Sequence, residues 1–170
     1  MVIYMRGLKL ELDTSTPWSG GRFKVAVRVT LKVRNNLGGK VVEAVALLNS
    51  GFETLKPQLL IPVKLAEVLG LWPSLPESSY VKEYGTAGGI TKTYVVPENL
   101  EVCVVTDGRC SPTAVSDSVI SLLEEEALIG DKLAGKLGIM VFDFAEGIWK
   151  LKIDPPDKMR ESETPQYWTI

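Results

Sequence analysis

Alternation of apolar and polar residues with a period of two is the dominant pattern of this chain. In the segment FKVAVRVTLKVR, residues 23–34, every second residue is apolar, beginning with Phe23 and Val25, and Lys, Arg and Thr fill most of the positions between. A period of two places successive side chains on opposite faces of an extended strand. The segment therefore predicts a long strand with one buried face, and the NNLGGK that follows it predicts a hairpin turn.

The other segments predict more short strands and two short helices. Strand 41–48 becomes apolar on both faces near its end, which is typical of a strand that enters the centre of a fold. One helix is predicted from Pro62 to Gly70 and a second one ending at Gly138. Hairpins are predicted over residues 80–96, 100–115 and 139–153. These elements together indicate a mainly β fold, a barrel with two short helices, and not a parallel α/β sheet.

Composition and charge narrow the class of protein. The chain has 170 residues, of which 45% are hydrophobic, and a formal net charge of −2. Its size suits one domain with a core, and its charge argues against a nucleic-acid-binding surface. No apolar run approaches the roughly 20 residues of a membrane span, and charges interrupt the N-terminal apolar residues. We expect a cytoplasmic protein that binds neither nucleic acid nor membrane.

The content of His and Cys limits the chemistry further. The chain has no His, which excludes Ser-His and Cys-His nucleophile pairs and most zinc sites. Cys103 and Cys110 flank a predicted turn, where they either form a disulfide or remain two half-buried thiols. We favour the thiols because cytosolic disulfides are uncommon. We expect no metal and no cofactor, and we expect the acidic run 124–126 to be a solvated turn.

Three motifs occur in a fixed order along the chain. The first is ALLNSGFET, residues 46–54, in which an apolar strand ends abruptly in Asn49-Ser50-Gly51. The second is YGTAGGITKTY, residues 84–94, a hairpin with a glycine-rich tip. The third is ALIGDKLAGKLGIMVFDF, residues 127–144, an apolar strand that ends in a glycine and is followed by a helix. Together, over about residues 23–153, they resemble the retropepsin-like aspartic proteases, in particular the single-domain cellular and archaeal members.

The resemblance implies a closed retropepsin-type barrel that works as a homodimer. Each subunit of that family contributes one Asp to a pair that shares a proton, and a flap hairpin closes over an extended peptide. Carried over by position, the catalytic loop consists of Asn49, Ser50 and Gly51. The flap and substrate-binding positions are Glu53, Gly85, Thr86, Ala87, Gly88 and Gly89. The resemblance further implies that Ile129 and Gly130 pack behind the catalytic loop.

Asn49 departs from the family pattern, because it stands where the family has its catalytic Asp. A carboxamide has nearly the shape of a carboxylate but cannot accept the proton that water must lose. Three accounts are open: an engineered change, a natural pseudoprotease that binds peptides or acts as a scaffold, or another base such as Glu53 or Asp131. Asn-Ser-Gly is also the composition of an ordinary turn. Asp131 stands where viral members have Arg, which puts their intersubunit salt bridge in doubt here.

The predicted domain organisation has three parts. Residues 1–22 form an N-terminal extension, residues 23–154 form the retropepsin-like domain, and residues 155–170 form a polar tail. The tail is expected to be mobile or wrapped on the surface, and its Tyr167 and Trp168 are candidate anchors to a partner subunit.

Overall fold

A computed structural model of the protein describes residues 25–86 and 89–169. Its elements, in chain order, are β1 Arg28–Asn35, β2 Val41–Leu48, β3 Gln58–Pro62, α1 Val63–Val68, β4 Tyr80–Thr86, β5 Gly89–Thr106, β6 Arg109–Cys110, β7 Ala114–Ser121, β8 Ala127–Ile129, α2 Asp131–Leu137, β9 Ile139–Asp143, β10 Ile148–Leu151 and β11 Arg160–Glu161. The predicted extension 1–22 lies outside the described residues.

Six of the strands form a closed barrel. The strands pair in the order β1-β2-β8-β3-β7-β5, and β1 pairs again with β5 to close the ring. The β2–β8 and β3–β7 pairs are parallel, whereas the other pairs in the ring are antiparallel. Closure leaves no free edge in the ring itself. The prediction of a mainly β barrel with two short helices is therefore confirmed.

Strand β1 carries the predicted alternation but begins later than predicted. Val29, Leu31 and Val33 are fully buried, as the period of two requires. Val25, which was predicted to share their face, is 63% exposed. The reason is Ala26, whose φ of 74° breaks the extended backbone, and whose amide donates to the carbonyl oxygen of Phe144 at 2.8 Å. The strand prediction was therefore wrong for residues 25–27, and residues 23 and 24 lie outside the described residues.

Strand β5 is a single bent strand where two separate hairpins were predicted. Its first half pairs with β4 and its second half with β1, while β7 pairs with both halves. The register to β7 shifts between Val96 and Leu100, and Glu98 within that shift has a φ of 47°. Such a bulge lets one strand change direction, so β5 links the barrel to the hairpin that projects from it.

The two helices begin and end where their sequences predicted. Pro62 directly precedes α1, and Gly70 follows it with a φ of 75°. Helix α2 ends in Gly138, whose left-handed φ of 72° is the conformation that glycine adopts without strain. Leu65 of α1 and Leu133 of α2 are fully buried, so both helices pack onto the barrel core. No helix among the described residues is long and apolar enough to cross a membrane.

A small second sheet binds the C-terminal tail to the barrel. The sheet has the order β11-β10-β9, and β11 belongs to the tail. Further along, the Glu163 amide donates to the Arg28 carbonyl at 3.0 Å, and the Trp168 amide donates to the Glu125 carbonyl at 2.7 Å. Trp168 packs against the barrel core of its own chain. The tail is thus wrapped on the surface, with Trp168 packed against its own barrel and Tyr167 exposed.

Two expectations about charged and sulfur-containing side chains were wrong. Cys103 and Cys110 are joined as a disulfide, whereas two thiols were favoured, because the β5–β6 hairpin brings their Cα atoms to 5.6 Å. Within the acidic run 124–126, Glu126 is only 1% exposed and forms an ion pair with Arg28. The run is therefore not a fully solvated turn, since its last member is buried and paired.

Candidate functional site

The Asn49-Ser50-Gly51 loop begins where β2 leaves the barrel. The Asn49 amide donates to the Ile129 carbonyl at 3.1 Å, which ties the loop to the end of β8. Two further bonds close the turn: the Gly51 amide donates to Asn49 Oδ1 at 3.0 Å, and the Phe52 amide donates to the Asn49 carbonyl at 2.9 Å. The Asn49 side chain is therefore an acceptor within its own turn, which fixes the loop conformation.

Gly130 lies directly behind this loop. A Cβ at Gly130 would lie 3.0 Å from Phe52 Cδ1 and 3.1 Å from the Phe52 carbonyl oxygen, which is closer than atoms of neighbouring residues normally come. The Asp131 amide also donates to the Phe52 carbonyl at 3.2 Å. The close approach of these backbones explains a glycine at this position. The first and third sequence motifs are thus in direct contact.

The β4–β5 hairpin supplies the second motif. Its strands pair from Tyr80 opposite Val95 to Thr86 opposite Gly89. The ring of Tyr84 in β4 packs edge-on against the ring of Phe52, with centroids 6.0 Å apart. The tip half of the hairpin therefore rests on the residue that follows the Asn49 loop. Ala87 and Gly88, at the tip, lie outside the described residues.

A chain of hydrogen bonds connects this hairpin to the barrel interior. The Tyr84 hydroxyl donates to Gln58 Oε1 at 2.9 Å, and Gln58 Nε2 donates to Asp117 Oδ2 at 3.1 Å. The second carboxylate oxygen of Asp117 accepts from the Glu98 amide at 2.9 Å. Gln58 and Asp117 are both at least 97% buried. Burial, and then the nearby Tyr80 and Asp117, raise the pKa of Tyr84 to about 12.

Sequence reasoning missed Gln58 and Asp117. Neither belongs to a recognisable motif, and each stands beside residues expected to lie in strands. A polar residue next to buried strand positions is the one signal that points to them, because a buried amide or carboxylate needs hydrogen-bonding partners.

An apolar pocket lies between the hairpin and the loop. Its walls include Phe52 and Leu60 on the barrel side and Tyr84, Thr91 and Thr93 on the hairpin side. The Nζ of Lys82 lies 4.6 Å from the centroid of the Tyr84 ring, at the outer side of the hairpin. Ser121 and Glu124 also line the pocket, and its volume of about 30 Å³ is far below that of a typical ligand pocket.

The structure divides the predicted site residues into two groups. Asn49, Gly51, Ile129 and Gly130 form one packed unit, which is half-buried or buried. The second group is exposed and lies either in the loop or in the hairpin: Ser50, Glu53, Gly85 and Gly89. Leu55, three residues after Phe52, is 97% exposed. Neither Glu53 nor Asp131 is buried, so each carboxylate is in contact with solvent.

No family model matches this chain, and no curated protein matches it. The resemblance to the retropepsin-like family therefore rests on the three sequence motifs alone. Among residues 25–86 and 89–169, no cluster of three or more Cys, Asp or Glu side chains is placed to hold a metal ion.

Proposed function

We propose that this protein is a retropepsin-like aspartic peptidase homologue that binds extended peptides in a groove formed by two copies of the chain. The observation that carries the proposal is the contact among three motifs far apart in sequence. The Asn49 loop bonds to Ile129, Gly130 packs on Phe52, and Tyr84 of the hairpin packs on the same Phe52. A loop, its support and a covering hairpin are the parts that such a peptidase needs.

Two copies are required because each chain has one such loop. In the proposed dimer the two loops face each other, and Ser50, which is exposed, supplies the hydroxyl that bonds across to the partner loop. The peptide lies between the loops and the hairpins, bound through its backbone as an added strand. The apolar surface of Phe52 and Tyr84 packs against one of its side chains.

Asn49 removes the chemical step from this arrangement. In an aspartic dyad the ionised carboxylate takes a proton from water while the protonated one donates to the scissile carbonyl. The Asn49 amide has no basic atom, and a symmetric dimer carries two of them. The chain as written therefore binds peptides without cleaving them, whether the Asn is engineered or natural.

A peptidase assay on the Asn49→Asp variant tests the proposal. The wild-type chain, Asn49→Asp and the control Asn36→Asp are incubated with a diverse peptide library from pH 3 to pH 7, and products are identified by mass spectrometry. The control adds a carboxylate in the exposed β1–β2 turn, away from the loop. We expect cleavage by Asn49→Asp alone, with a pH profile governed by two apparent pKa values of the coupled pair.

The outcomes separate the alternatives. Cleavage by the wild-type chain that is lost in Glu53→Gln or Asp131→Asn would assign the base to another acid. If Asn49→Asp cleaves nothing but the wild-type chain retains library peptides in a pull-down, the binding or scaffolding function stands alone. If no variant cleaves and none retains a peptide, the proposal is wrong.

A further inference from the structure

The Cys103–Cys110 disulfide lies on the barrel surface, far from the Asn49 loop in sequence. It joins the end of β5 to β6 across the turn at Asp107 and Gly108. Its two halves differ in access: Cys103 is 4% exposed, whereas Cys110 is exposed. Cys110 is therefore the half of the bond that is more open to a thiol from solution.

A cation lies directly opposite the buried half of the disulfide. Lys32 of β1 lies directly opposite Cys103 of β5 in the antiparallel register, so the two side chains project from the same face. Lys32, Arg34 and Glu101 line one cleft together with both cysteines, and Glu43 of β2 lies opposite Lys32 on its other side, so the formal charges on this face balance and Lys32 is the cation directly opposite Cys103. Nearby cations stabilise a thiolate relative to a thiol. They also attract an incoming thiolate.

We propose that the Cys103–Cys110 disulfide is a reversible thiol–disulfide exchange site that accepts electrons from a dithiol reductant. A thiolate of the reductant attacks Sγ of Cys110, the exposed residue of the pair, and forms a mixed disulfide with it. The bond to Cys103 breaks, and its electron pair leaves on Cys103 Sγ as a thiolate beside Lys32. The second thiolate of the reductant then attacks the reductant sulfur that is bonded to Cys110. This step forms the disulfide of the oxidised reductant and releases Cys110 as a thiolate.

The exchange balances in atoms and electrons. The reductant loses two electrons and becomes a disulfide, and the protein gains two electrons and two protons as two thiols. The preference for attack at Cys110 follows from exposure, and the preference for Cys103 as leaving group follows from its position opposite Lys32. The proposal stands apart from the proposed peptide groove and does not depend on it.

Reduction kinetics of the folded full-length chain test the exchange site. The oxidised protein is mixed with excess dithiothreitol at pH 7, samples are quenched with a maleimide mass tag, and the fraction reduced is followed. Lys32→Gln removes the cation opposite Cys103, and Lys132→Gln, on exposed helix α2, is the matched control. We expect reduction to be about two- to fivefold slower in Lys32→Gln, the effect of one charge at an exposed site, and unchanged in the control.

Single-thiol variants test the direction of attack. Cys103→Ser leaves Cys110 as the free thiol, and Cys110→Ser leaves Cys103. We expect iodoacetamide to alkylate Cys110 about tenfold faster than Cys103, because access limits the buried thiol. Circular dichroism verifies that each variant is folded.

Four results would overturn the proposal. The first is complete maleimide labelling of the air-oxidised protein, which would mean that no bond forms. The second is reduction that occurs only at urea concentrations that unfold the chain. The third is equal reduction rates in the wild type and Lys32→Gln, and the fourth is alkylation of Cys103 as fast as that of Cys110.

Discussion

The side-chain oxygen of Asn49 accepts a hydrogen bond from the Gly51 amide at 3.0 Å, and a carboxylate oxygen at that position accepts the same bond. The turn is therefore compatible with either residue, and its geometry does not depend on which one is present. What differs is the second terminal atom, an amide nitrogen in place of an oxygen. One atom thus separates a carboxamide, which has no basic atom, from a carboxylate, which can take up a proton.

Tyr84 offers a residue-scale test of how the hairpin is attached. In Tyr84→Phe the ring remains against Phe52, but Gln58 Oε1 loses its donor while buried. An unsatisfied buried acceptor costs about 1–2 kcal/mol, so we expect that decrease in the free energy of unfolding. Urea denaturation measures it. Tyr80→Phe, on the same strand and 48% exposed, is the control and is expected to be neutral. Equal values for the two variants would contradict the role of the bond.

The same residue makes stability depend on alkaline pH. Burial raises the pKa of Tyr84 from 10.0 to about 12, so the folded state disfavours the phenolate relative to the unfolded state. Its contribution to stability is complete below pH 10 and is lost as the pH rises through 12. We expect the difference in unfolding free energy between the wild type and Tyr84→Phe to shrink over that interval. A difference that is constant from pH 9 to pH 12 would contradict the raised pKa.

Residue identity alone predicted part of the site. Asn49 and Gly130 could be predicted as site residues because each follows an apolar strand at a position where a strand alone gives no reason for an Asn or a Gly. Gln58 and Asp117 were not predicted, since their roles come from burial. The two residues belong to parallel neighbours β3 and β7, where Gln58 lies opposite Asp117 in the register. That pairing joins positions 59 residues apart, and no local pattern records it.

At the scale of elements, the site depends on how closely β8 and α2 approach the loop. In Gly130→Ala the new Cβ meets Phe52 Cδ1 at 3.0 Å and the Phe52 carbonyl at 3.1 Å, so the loop must shift. Overpacking of this kind costs about 1–3 kcal/mol. We expect that loss in urea denaturation, together with loss of any cleavage gained through Asn49→Asp in the double variant.

Gly135→Ala provides the matched control within α2. Nothing lies within 4 Å of the Cβ that this change adds, and the position is helical. Alanine in a helix is more favourable than glycine by about 0.5–1 kcal/mol, so this variant is expected to be slightly more stable. If Gly130→Ala were also neutral or stabilising, the loop and its support would not be in close contact.

Element types were easier to predict than element boundaries. Helices α1 and α2 were predictable because Pro62 and Gly138 act locally at their ends. The start of β1 and the bend in β5 were not, because each depends on a non-glycine residue with positive φ. Ala26 is held by a bond to Phe144, and Glu98 by a bond from its amide to Asp117. Both partners come from distant parts of the chain.

At the scale of the whole molecule, an ion pair fastens the C-terminal tail. Arg160 donates from Nε and Nη2 to the two carboxylate oxygens of Asp154 at 2.8 and 2.7 Å, and the Leu151 amide adds a third bond. These side chains are 13% and 8% exposed, so the pair is partly desolvated. In Asp154→Asn we expect a loss of about 2–3 kcal/mol, the typical value for hydrogen bonds to charged groups.

Acid titration of stability checks this pair. The hydrogen bonds from Arg160 lower the pKa of Asp154 from 3.8 to about 2. The contribution of the carboxylate is complete above pH 3.8 and is lost as the pH falls through 2. Urea denaturation between pH 2 and pH 5 should therefore show the wild type converging on Asp154→Asn at low pH. Asp157→Asn, an exposed neighbour in the tail, should match the wild type throughout.

The barrel was predictable as a class from the sequence pattern, and the resemblance implied its closure, whereas the strand pairs that close it were not predicted. Many short alternating segments indicate a β barrel, since each must bury one face. The ring itself is closed by β1 with β5, where Leu31 lies opposite Val104. Strand pairs between segments so far apart in the sequence are set by the packing of the complete molecule. In that packing Val29, Leu31 and Val102 are all fully buried. The sequence pattern specifies which face of each strand is buried, but it does not specify which strands pair with each other.

The proposed dimer leads to the last prediction, which concerns the assembled molecule. Given cleavage by Asn49→Asp, a fixed amount of that variant is mixed with an equal amount of the wild-type chain and left to exchange. Random pairing then leaves about a quarter of the dimers with two Asp, so activity per Asp chain falls to about half. Substrate is kept in large excess so that the inert dimers do not deplete it, and an equal mass of an inert unrelated protein serves as control.

Sedimentation velocity should give twice the mass of the chain for both proteins. Activity that does not change on mixing, despite complete exchange, would mean that one chain acts alone and that the groove between two copies is not the site.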